Sequence, residues 1–387
     1  MSAEAPPSST DGPGPPAMAA VVKERDGAAG IRLRLMPVPA PPPGQARVRV
    51  IAAGVCGTDV HLADDEYAHA RPVVMGHEVT GVVDLAPGHQ DWVGRRVAVE
   101  TYASTCGSCP PCRDGRPNLC RERRSIGSFV DGGFAAHVAV PLHNLHPLPD
   151  HVGELDGALA EPLACVAHCL LDPPRVQAGD RVLVTGPGTM GQLTARLGTA
   201  LGGRVTLVGL EKDADRLAVA ARHGATTALP ADVAAEDFDV AVEASGSGPG
   251  LTTALTALRR GGHLVLMGIM GRTIDVELDL VLYKELTVST GFASTPASWR
   301  RAMTLLDSCA VSLADLVTAT HPLASWSEAL DDVRGSRSQD APGARRDEHT
   351  PLNEETPLAL PRHRRQQVPP HAATGGPGSR QRVLRVR

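Results

Sequence analysis

Alternating apolar and polar residues dominate the first part of the chain and predict short strands. Between residues 45 and 53, Val48 and Val50 alternate with Arg47 and Arg49, which is the period of a half-buried strand. Similar short strands are predicted at 19–22, 31–35, 79–85 and 96–99 and within 127–140, with Pro- and Gly-containing turns between them. This rhythm predicts a first domain that consists mostly of β-strands.

From residue 181 onward, short apolar runs alternate with stretches of helical pattern. Strands are predicted at 181–185, 205–208, 238–242, 263–267 and 286–289, and helices at 192–201, 213–222 and 251–258. Strands and helices that alternate in this way form a parallel, doubly wound sheet, so the predicted fold class is α/β. Further helices are predicted at 298–306 and 325–333. Residues 335–387 show almost no apolar periodicity, which predicts a disordered tail.

The length and composition of the chain narrow its class and its partners. A chain of 387 residues is longer than one typical domain, so two domains are expected. A formal net charge of −5 and an aromatic content of 3% argue against a nucleic-acid partner. No apolar run reaches the ~18 residues of a membrane span. Residues 1–18 lack the basic and apolar segments of a signal peptide and are predicted to be a disordered leader, so a cytoplasmic protein is expected.

Four of the eight cysteines lie in one short segment with the spacing of a zinc site. Cys106, Cys109 and Cys112 follow one another at intervals of three, and Cys120 lies a short loop further on. Four thiolates can close a tetrahedron around one zinc ion and leave no position for a substrate, so this site would be structural. The alternative, four unrelated thiols, would expose a tight thiol cluster to oxidation. Three cysteines outside the zinc motifs are interpreted as small buried apolar residues: Cys165, Cys169 and Cys309.

The stretch from residue 56 to residue 78 carries a second set of zinc-binding residue types. A catalytic zinc takes about three protein ligands and keeps one open position. Cys56 and His77 would supply two ligands, and the third would be Glu78 or the more distant Glu161. Glu161 is a candidate because it is an isolated carboxylate in an apolar, helix-like run, where a carboxylate is unfavourable unless it is paired or binds a metal. The alternatives are an ordinary buried Cys and His, and an exposed glutamate at a helix start.

A glycine-rich loop follows the first strand of the second domain. Gly186, Gly188 and Gly191 form a GxGxxG pattern between a predicted strand and a predicted helix. Glycines in this context allow a tight turn and bring a pyrophosphate close to the helix N-terminus, where free N–H groups and the helix dipole favour anions. The alternative is a glycine-rich turn that binds nothing.

The end of the second strand bears on the choice of cofactor. Glu211 could bind the ribose hydroxyls of NAD, whereas Lys212 could meet the 2′-phosphate of NADP. NAD is preferred, with NADP left open. Met190 in the glycine loop and Arg216 in the following helix complete the predicted cofactor site.

In this order, the motifs resemble those of the zinc-dependent medium-chain dehydrogenases over residues 19–334. The resemblance rests on Cys56-Gly57-Thr58-Asp59 with His61, Gly76-His77-Glu78, the four-cysteine segment, Asp131-Gly132-Gly133-Phe134, Glu161-Pro162-Leu163-Ala164 and the glycine loop. A Glu-Pro pair at the third zinc position points to the polyol branch, which includes sorbitol and threonine dehydrogenases.

This resemblance implies a GroES-like, mostly-β catalytic domain with an inserted Rossmann domain. The implied segments are a catalytic domain at 19–175 with a structural zinc lobe at about 104–122, a Rossmann domain at 176–296 and a return to the catalytic domain at 297–334. The active site would lie in the cleft between the domains, with Ser245 and Gly268 near the cofactor and residues 268–270 and 291–293 on its nicotinamide side. A homodimer or homotetramer paired through the Rossmann sheets is also implied.

The family closes its catalytic domain with a final helix and a strand, and no such strand is evident after Val333. Residues 383–386 are a poor candidate, so the segment 335–387 is expected to be a disordered or aberrant tail.

Together the motifs predict a zinc-dependent oxidoreductase that transfers a hydride between a small secondary alcohol and a nicotinamide cofactor. The alcohol would be a polyol, an amino-alcohol or a cyclitol, and the metals would be one catalytic and one structural zinc. Thr58 and His61, close to the predicted thiolate, suit a proton relay from the alcohol to solvent. The alternative is a non-catalytic zinc- and nucleotide-binding redox sensor on the same fold, but a sensor has no need of these two residues.

Overall fold

The computed structural model of the protein describes residues 16–338 and 382–386. Most of the predicted leader and residues 339–381 of the predicted tail lie outside the described residues. The described chain forms a mostly-β unit and a parallel α/β unit, as the sequence pattern predicts. No helix in the described ranges is both long and apolar enough to cross a membrane.

The first unit contains mostly short strands. Its elements are β1 (Ala17–Lys23), β2 (Ile31–Pro37), β3 (Gln45–Val55), α1 (Gly57–Ala63), β4 (Val73–Val74), β5 (Glu78–Leu85), β6 (Arg96–Val99), β7 (Tyr102–Ser104), α2 (Pro110–Arg113), β8 (Arg124–Ser125), β9 (His137–Pro141), β10 (Leu145–Pro147) and α3 (Ala160–Leu171). Strand β3 is central because it pairs with both β5 and β9. Its Val48 and Val50 are buried and alternate with the more exposed Arg47 and Arg49, as the two-residue period of a strand requires.

The second unit is a six-stranded parallel sheet flanked by helices. Its elements are β11 (Arg181–Thr185), α4 (Thr189–Ala200), β12 (Arg204–Val208), α5 (Ala214–Arg222), β13 (Thr226–Ala228), β14 (Phe238–Glu243), α6 (Gly248–Ala257), β15 (Leu258–Leu266), α7 (Asp279–Tyr283) and β16 (Thr287–Thr290). The strand order is β13-β12-β11-β14-β15-β16. In β11 the side chains of Val182, Leu183 and Val184 are all fully buried, because helices cover both faces of the sheet.

The chain then returns to the first unit. The remaining elements are α8 (Pro296–Asp307), β17 (Ala319–Pro322), α9 (Trp326–Ser338) and β18 (Arg382–Arg385). Helix α8 packs on α3, and its fully buried Trp299 stacks on His146 with 4.4 Å between ring centroids. Buried residues of α3 belong to the same core cluster as Val182 and Leu193 of the second unit, so the two units share one continuous packed region.

The prediction that no closing strand follows Val333 is wrong. Strand β18 completes the main sheet of the first unit, whose strand order is β10-β6-β5-β3-β18-β17. It runs antiparallel to the end of β3, with Leu384 opposite Ala53, and parallel to β17. Val383 and Leu384 are fully buried, and Arg382 pairs with Asp332. Helix α9 also continues past Gly335 to residue 338. A strand of four residues flanked by arginines, far from its partners in the sequence, leaves no local periodicity to detect.

Candidate active site

The register of two neighbouring strands brings a thiol, an imidazole and a carboxylate together. Strand β3 ends directly before Cys56, and Glu78 is the first residue of β5, where it pairs with Gly54. His77 lies directly before Glu78, at the start of the same strand. The ligand atoms of Cys56, His77 and Glu78 all lie within 4.8 Å of one another. Thiolate, imidazole and carboxylate are ligands that zinc accepts, and three of them leave one coordination position open, so these residues fit a catalytic zinc.

Helix α1 holds Cys56 in position through Asp59. Asp59 is buried and its carboxylate accepts a hydrogen bond from the Cys56 N–H at 2.8 Å, which caps the helix N-terminus. The other carboxylate oxygen of Asp59 lies 3.7 Å from Nδ1 of His77. No role was predicted for Asp59 from the sequence, although its spacing of three residues from Cys56 is that of a capping box. One carboxylate thus orients two of the three clustered residues.

The protonation of this cluster is set by burial and by its own charges. Burial raises the pKa of the Cys56 thiol, and Glu78 adds to this effect while His77 opposes it. Burial alone would lower the pKa of His77, but the Asp59 carboxylate and Cys56 raise it well above its ordinary value. Both groups thus hold their protons firmly in the absence of a cation, and a bound metal ion would have to displace them.

Glu161 lies nearby but outside the three-residue cluster. It is buried in the first turn of α3 and accepts hydrogen bonds from Thr101 Oγ1 at 3.1 Å and from Cys165 Sγ at 3.4 Å. The pKa of the Cys165 thiol is raised well above its ordinary value by burial, with Glu161 and Cys56 both contributing, so the thiol stays protonated and donates. Of the two carboxylates left open by the sequence, the described structure groups Glu78, and not Glu161, with Cys56 and His77.

Thr58 and His61 lie one helical turn apart on α1. Oγ1 of Thr58 is 3.7 Å from Sγ of Cys56, and Nδ1 of His61 is 2.7 Å from Glu66 Oε2. The Glu66 side chain is largely exposed. Helix α1 therefore carries a hydroxyl beside the cluster and, one turn further on, an imidazole that contacts an exposed carboxylate.

The four cysteines of the lobe also come together as the sequence spacing predicts. Their sulfur atoms all lie within 4.8 Å of one another, and the Sγ of Cys106 lies 3.6 Å from that of Cys120 and 4.0 Å from that of Cys112. A tetrahedron with Zn–S bonds of ~2.3 Å has edges of about 3.8 Å, so the spacing fits zinc. N–H groups of Ser108 and Cys109 lower the pKa of Cys106 to about 6, which favours the thiolate a metal needs.

The glycine loop has the geometry of a phosphate-binding turn. Gly186 directly follows β11 with φ of +92°, and a Cβ atom there would lie 2.6 Å from the Cα of Ser245. Gly188 caps the N-terminus of α4. A Cβ at Gly191 would lie 1.9 Å from the Gly186 carbonyl oxygen. The backbone can therefore approach a pyrophosphate at the start of α4.

Four further predicted cofactor residues lie around this loop. Glu211 is exposed in a short 3₁₀ turn after β12, and Lys212 next to it is half-buried. Arg216 on α5 pairs with Asp213 at 3.0 Å, and Met190 packs partly against the core. Glu211, Lys212 and Arg216 border the carboxyl edge of the sheet, whereas the side chain of Met190 packs partly against the core.

Ser245 and Gly268 both lie against the carboxylate of Glu243, which was not predicted as a site residue. Glu243 ends β14 fully buried, and its Oε1 accepts hydrogen bonds from the N–H and hydroxyl of Ser245 and from the N–H of Gly246. A Cβ at Gly268 would lie 2.5 Å from Glu243 Oε2. Burial raises the pKa of Glu243, although these hydrogen bonds oppose it. Glu243 thus positions the loops on both sides of the predicted nicotinamide end; its place at a strand end was the available signal.

The prediction that Cys165, Cys169 and Cys309 are all buried is correct only for Cys169. Cys169 is buried, with its Sγ 3.5 Å from the Gly291 carbonyl oxygen. Cys165 is half-buried and bonded to Glu161. Cys309 is exposed at a turn with φ of +55°, because the chain reverses there after α8.

Two donor clusters that fit zinc, joined to a parallel sheet with a phosphate-binding turn, define a nicotinamide-dependent zinc dehydrogenase. Residues 42–150 match the alcohol dehydrogenase GroES-like domain, and residues 189–308 match the zinc-binding dehydrogenase family. The chain belongs to the zinc-dependent medium-chain dehydrogenases, as the sequence motifs suggested, and it is an NAD(P)-dependent zinc oxidoreductase.

Similar proteins and a similar solved structure support this assignment. A sorbitol dehydrogenase from Halalkalibacterium halodurans is 33% identical over 83% of this chain and 97% of its own length. A D-arabitol-phosphate dehydrogenase from Enterococcus avium is 31% identical over 74% of this chain and 86% of its own length. A zinc-binding dehydrogenase from Sinorhizobium meliloti, whose crystal structure contains NADP, is 28% identical, with a TM-score of 0.77 over 96% of this chain and 99% of that one.

Proposed function

We propose that the protein catalyses the reversible oxidation of a secondary alcohol of a polyol to a ketone, with a nicotinamide cofactor. The observation that carries this proposal is the close cluster of Cys56, His77 and Glu78 beside the buried carboxylate of Glu161. The two relatives named as sorbitol and D-arabitol-phosphate dehydrogenases support a polyol as the substrate class.

In this proposal Cys56, His77 and Glu78 hold the catalytic zinc, and Cys106, Cys109, Cys112 and Cys120 hold the structural zinc. When bound, the catalytic zinc supplies a Lewis acid for the alcohol oxygen and the nicotinamide supplies the hydride acceptor. Glu161, kept in place by Thr101 and Cys165, would orient the substrate beside the cluster.

Residues of α1 carry the alcohol proton to solvent. The Thr58 hydroxyl, 3.7 Å from Sγ of Cys56, takes the proton from the substrate hydroxyl and passes its own toward His61. His61 donates in turn to the exposed Glu66 carboxylate, 2.7 Å from its Nδ1. Asp59 takes no proton; it keeps Cys56 and His77 in position.

NAD is the favoured cofactor, because the exposed carboxylate of Glu211 after β12 can bind ribose hydroxyls and would repel a 2′-phosphate. Gly186, Gly188 and Gly191 would accommodate the pyrophosphate, and Ser245 and Gly268 the nicotinamide end. Lys212 and Arg216 support the alternative, NADP, because their positive charges could bind a 2′-phosphate. NADH and NADPH dissociation constants, measured by fluorescence titration, would decide between them.

The edge of the parallel sheet is the proposed dimer interface. Within residues 16–338 and 382–386, strand β16 pairs with β15 alone, and Val288 on it is 43% exposed. Helix α7 beside it has no buried residue, and Leu282 and Tyr283 are each 68% exposed. An unpaired edge strand bordered by exposed apolar residues is a natural surface for two-fold pairing. Light scattering should give a smaller mass for Leu282→Glu than for the unchanged protein.

The proposed function is tested with Cys56→Ser and the matched control Cys309→Ser, which changes an exposed thiol outside the cluster. Reduction of NAD by a panel of polyols is followed by absorbance, and bound zinc is measured by elemental analysis. The Cys56 variant should lose turnover and about one zinc per chain but still bind NADH, whereas the control should behave like the unchanged protein. Full turnover by the zinc-depleted Cys56 variant would refute the assignment, and silence toward all alcohols with both zinc ions bound would favour the redox-sensor alternative.

A further inference from the structure

A cavity of about 430 Å³ lies between the four-cysteine lobe and the loop that follows β16. This lobe cavity is lined by Asn118, Leu119, Arg121, Arg123 and Phe292. The first four residues flank Cys120, and Phe292 belongs to the nucleotide-binding unit. The volume falls within the range of small-molecule sites, ~300–1,000 Å³.

The lobe cavity is positively charged. Arg121 is exposed and Arg123 half-buried, and neither forms an ion pair within the part of the chain that the structure describes. Arg123 is held in place, because its guanidinium lies 5.1 Å from the Phe292 ring centroid and donates to the Cys120 carbonyl at 3.3 Å. Its other N–H groups remain available. Glu122 between the two arginines is exposed and does not line the cavity.

Asn118 connects the two walls and is itself buried. It is 1% exposed, and its Nδ2 donates to the Phe292 carbonyl at 2.8 Å. Its Oδ1 is buried and has no partner among the described residues. A buried amide oxygen without a donor is unfavourable, and a ligand hydroxyl could supply the donor after a small side-chain adjustment.

Contacts of both walls connect the cavity to the proposed active site. Gly291, next to Phe292, packs on Cys169, one helical turn beyond Cys165 on α3. On the other wall, Tyr102 pairs with Ser125, two residues after Arg123, and Thr101 next to Tyr102 donates to Glu161 at 3.1 Å. One strand pairing and one hydrogen bond therefore connect the segment of Arg123 to Glu161.

We propose that the lobe cavity binds an anionic group, a phosphate or a carboxylate, on the far end of the polyol whose hydroxyl reacts at the zinc site. This inference rests on the proposed function, because it places the reacting carbon at Cys56, His77 and Glu78. Arg121 and Arg123 pair with the anion, since guanidinium groups match phosphate and carboxylate geometry. The amide oxygen of Asn118 accepts a hydrogen bond from a hydroxyl group of the polyol, between its anionic end and its reacting carbon.

The test compares a polyol phosphate, the corresponding aldonate and the corresponding neutral polyol. Their dissociation constants are measured by calorimetry with the zinc-loaded protein and NADH, and kcat/KM is measured with the oxidised cofactor. One anionic form should bind about 10- to 100-fold more tightly than the neutral polyol. The preferred anion distinguishes phosphate from carboxylate.

Arg121→Gln and Arg123→Gln should each remove about 10-fold or more of that preference, mainly through KM, with less than about threefold change for the neutral polyol. Arg113→Gln is the control, because Arg113 is exposed on the same lobe outside the cavity. Equal binding of charged and neutral polyols, or equal losses for both substrates in the arginine variants, would overturn the inference. Tight anion binding without turnover of any alcohol would support the cavity assignment and contradict the proposed function.

Discussion

Strand β18 should contribute measurably to the stability of the catalytic unit, and Leu384→Ala tests this. Leu384 is fully buried in a core cluster that includes Ala53, Met75, Phe134 and Leu330. Truncating a buried leucine to alanine typically lowers the free energy of unfolding by about 2–5 kcal/mol, because methyl groups are lost and a cavity remains. Since β18 pairs with β3 up to Val55, directly before Cys56, the loss should also weaken zinc binding.

The magnitude can be read as a shift in melting temperature. A change of 1 kcal/mol moves Tm by roughly 2–4 °C in a domain of this size, so about 3 kcal/mol predicts a fall of about 6–12 °C. Trp326 packs against the same cluster, so its fluorescence reports the unfolding of this core. The matched control is Arg385→Ala, which changes an exposed residue of the same strand and should move Tm by less than about 2 °C. Equal Tm values for the two variants would show that β18 does not occupy this position in solution.

Three other outcomes can be checked with simple variants. By elemental analysis, Cys112→Ser should bind about one zinc ion fewer per chain, while Cys309→Ser should keep the full zinc content. Equal zinc contents in the two variants would contradict a zinc site in the lobe. Gly186→Ala should weaken NADH binding by about 10-fold or more, because its φ of +92° disfavours alanine; an unchanged dissociation constant would contradict the proposed cofactor position. Burial lowers the pKa of His263, with Arg175 adding to the effect, so the unfolded chain binds the proton more tightly. Stability from this group is present above the unfolded pKa of ~6.5 and is lost as pH falls below it through the lower folded-state pKa, so urea midpoints should drop below about pH 7, and less steeply in His263→Gln.

Much of the fold and of the candidate site follows from local sequence patterns. The period of β3 predicts the strand that delivers Cys56, and the spacing of the four cysteines predicts their convergence, because both depend on residues close in sequence. The choice between Glu78 and Glu161 could not be made from sequence, since it depends on the register of β3 against β5.

Features that depend on distant parts of the chain were missed. The pairing of β18 with β3 and the lobe cavity between Asn118 and Phe292 each join residues far apart in sequence. Glu243 directly follows a predicted strand, but its role depends on its complete burial beside Gly268, which the sequence pattern does not show. Long-range burial and register are therefore what the sequence pattern alone did not provide.

The position of β18 has a consequence for how the protein is made. On the nascent chain, residues 52–55 of β3 present an apolar strand edge whose partner is synthesised only after the entire nucleotide-binding unit. At ~5–20 residues per second, that delay is on the order of 20–60 s. The nucleotide-binding unit is continuous in sequence and can fold during this interval, whereas the catalytic sheet must keep an open edge that favours wrong pairing. Chaperone dependence during translation should therefore concentrate on the catalytic unit.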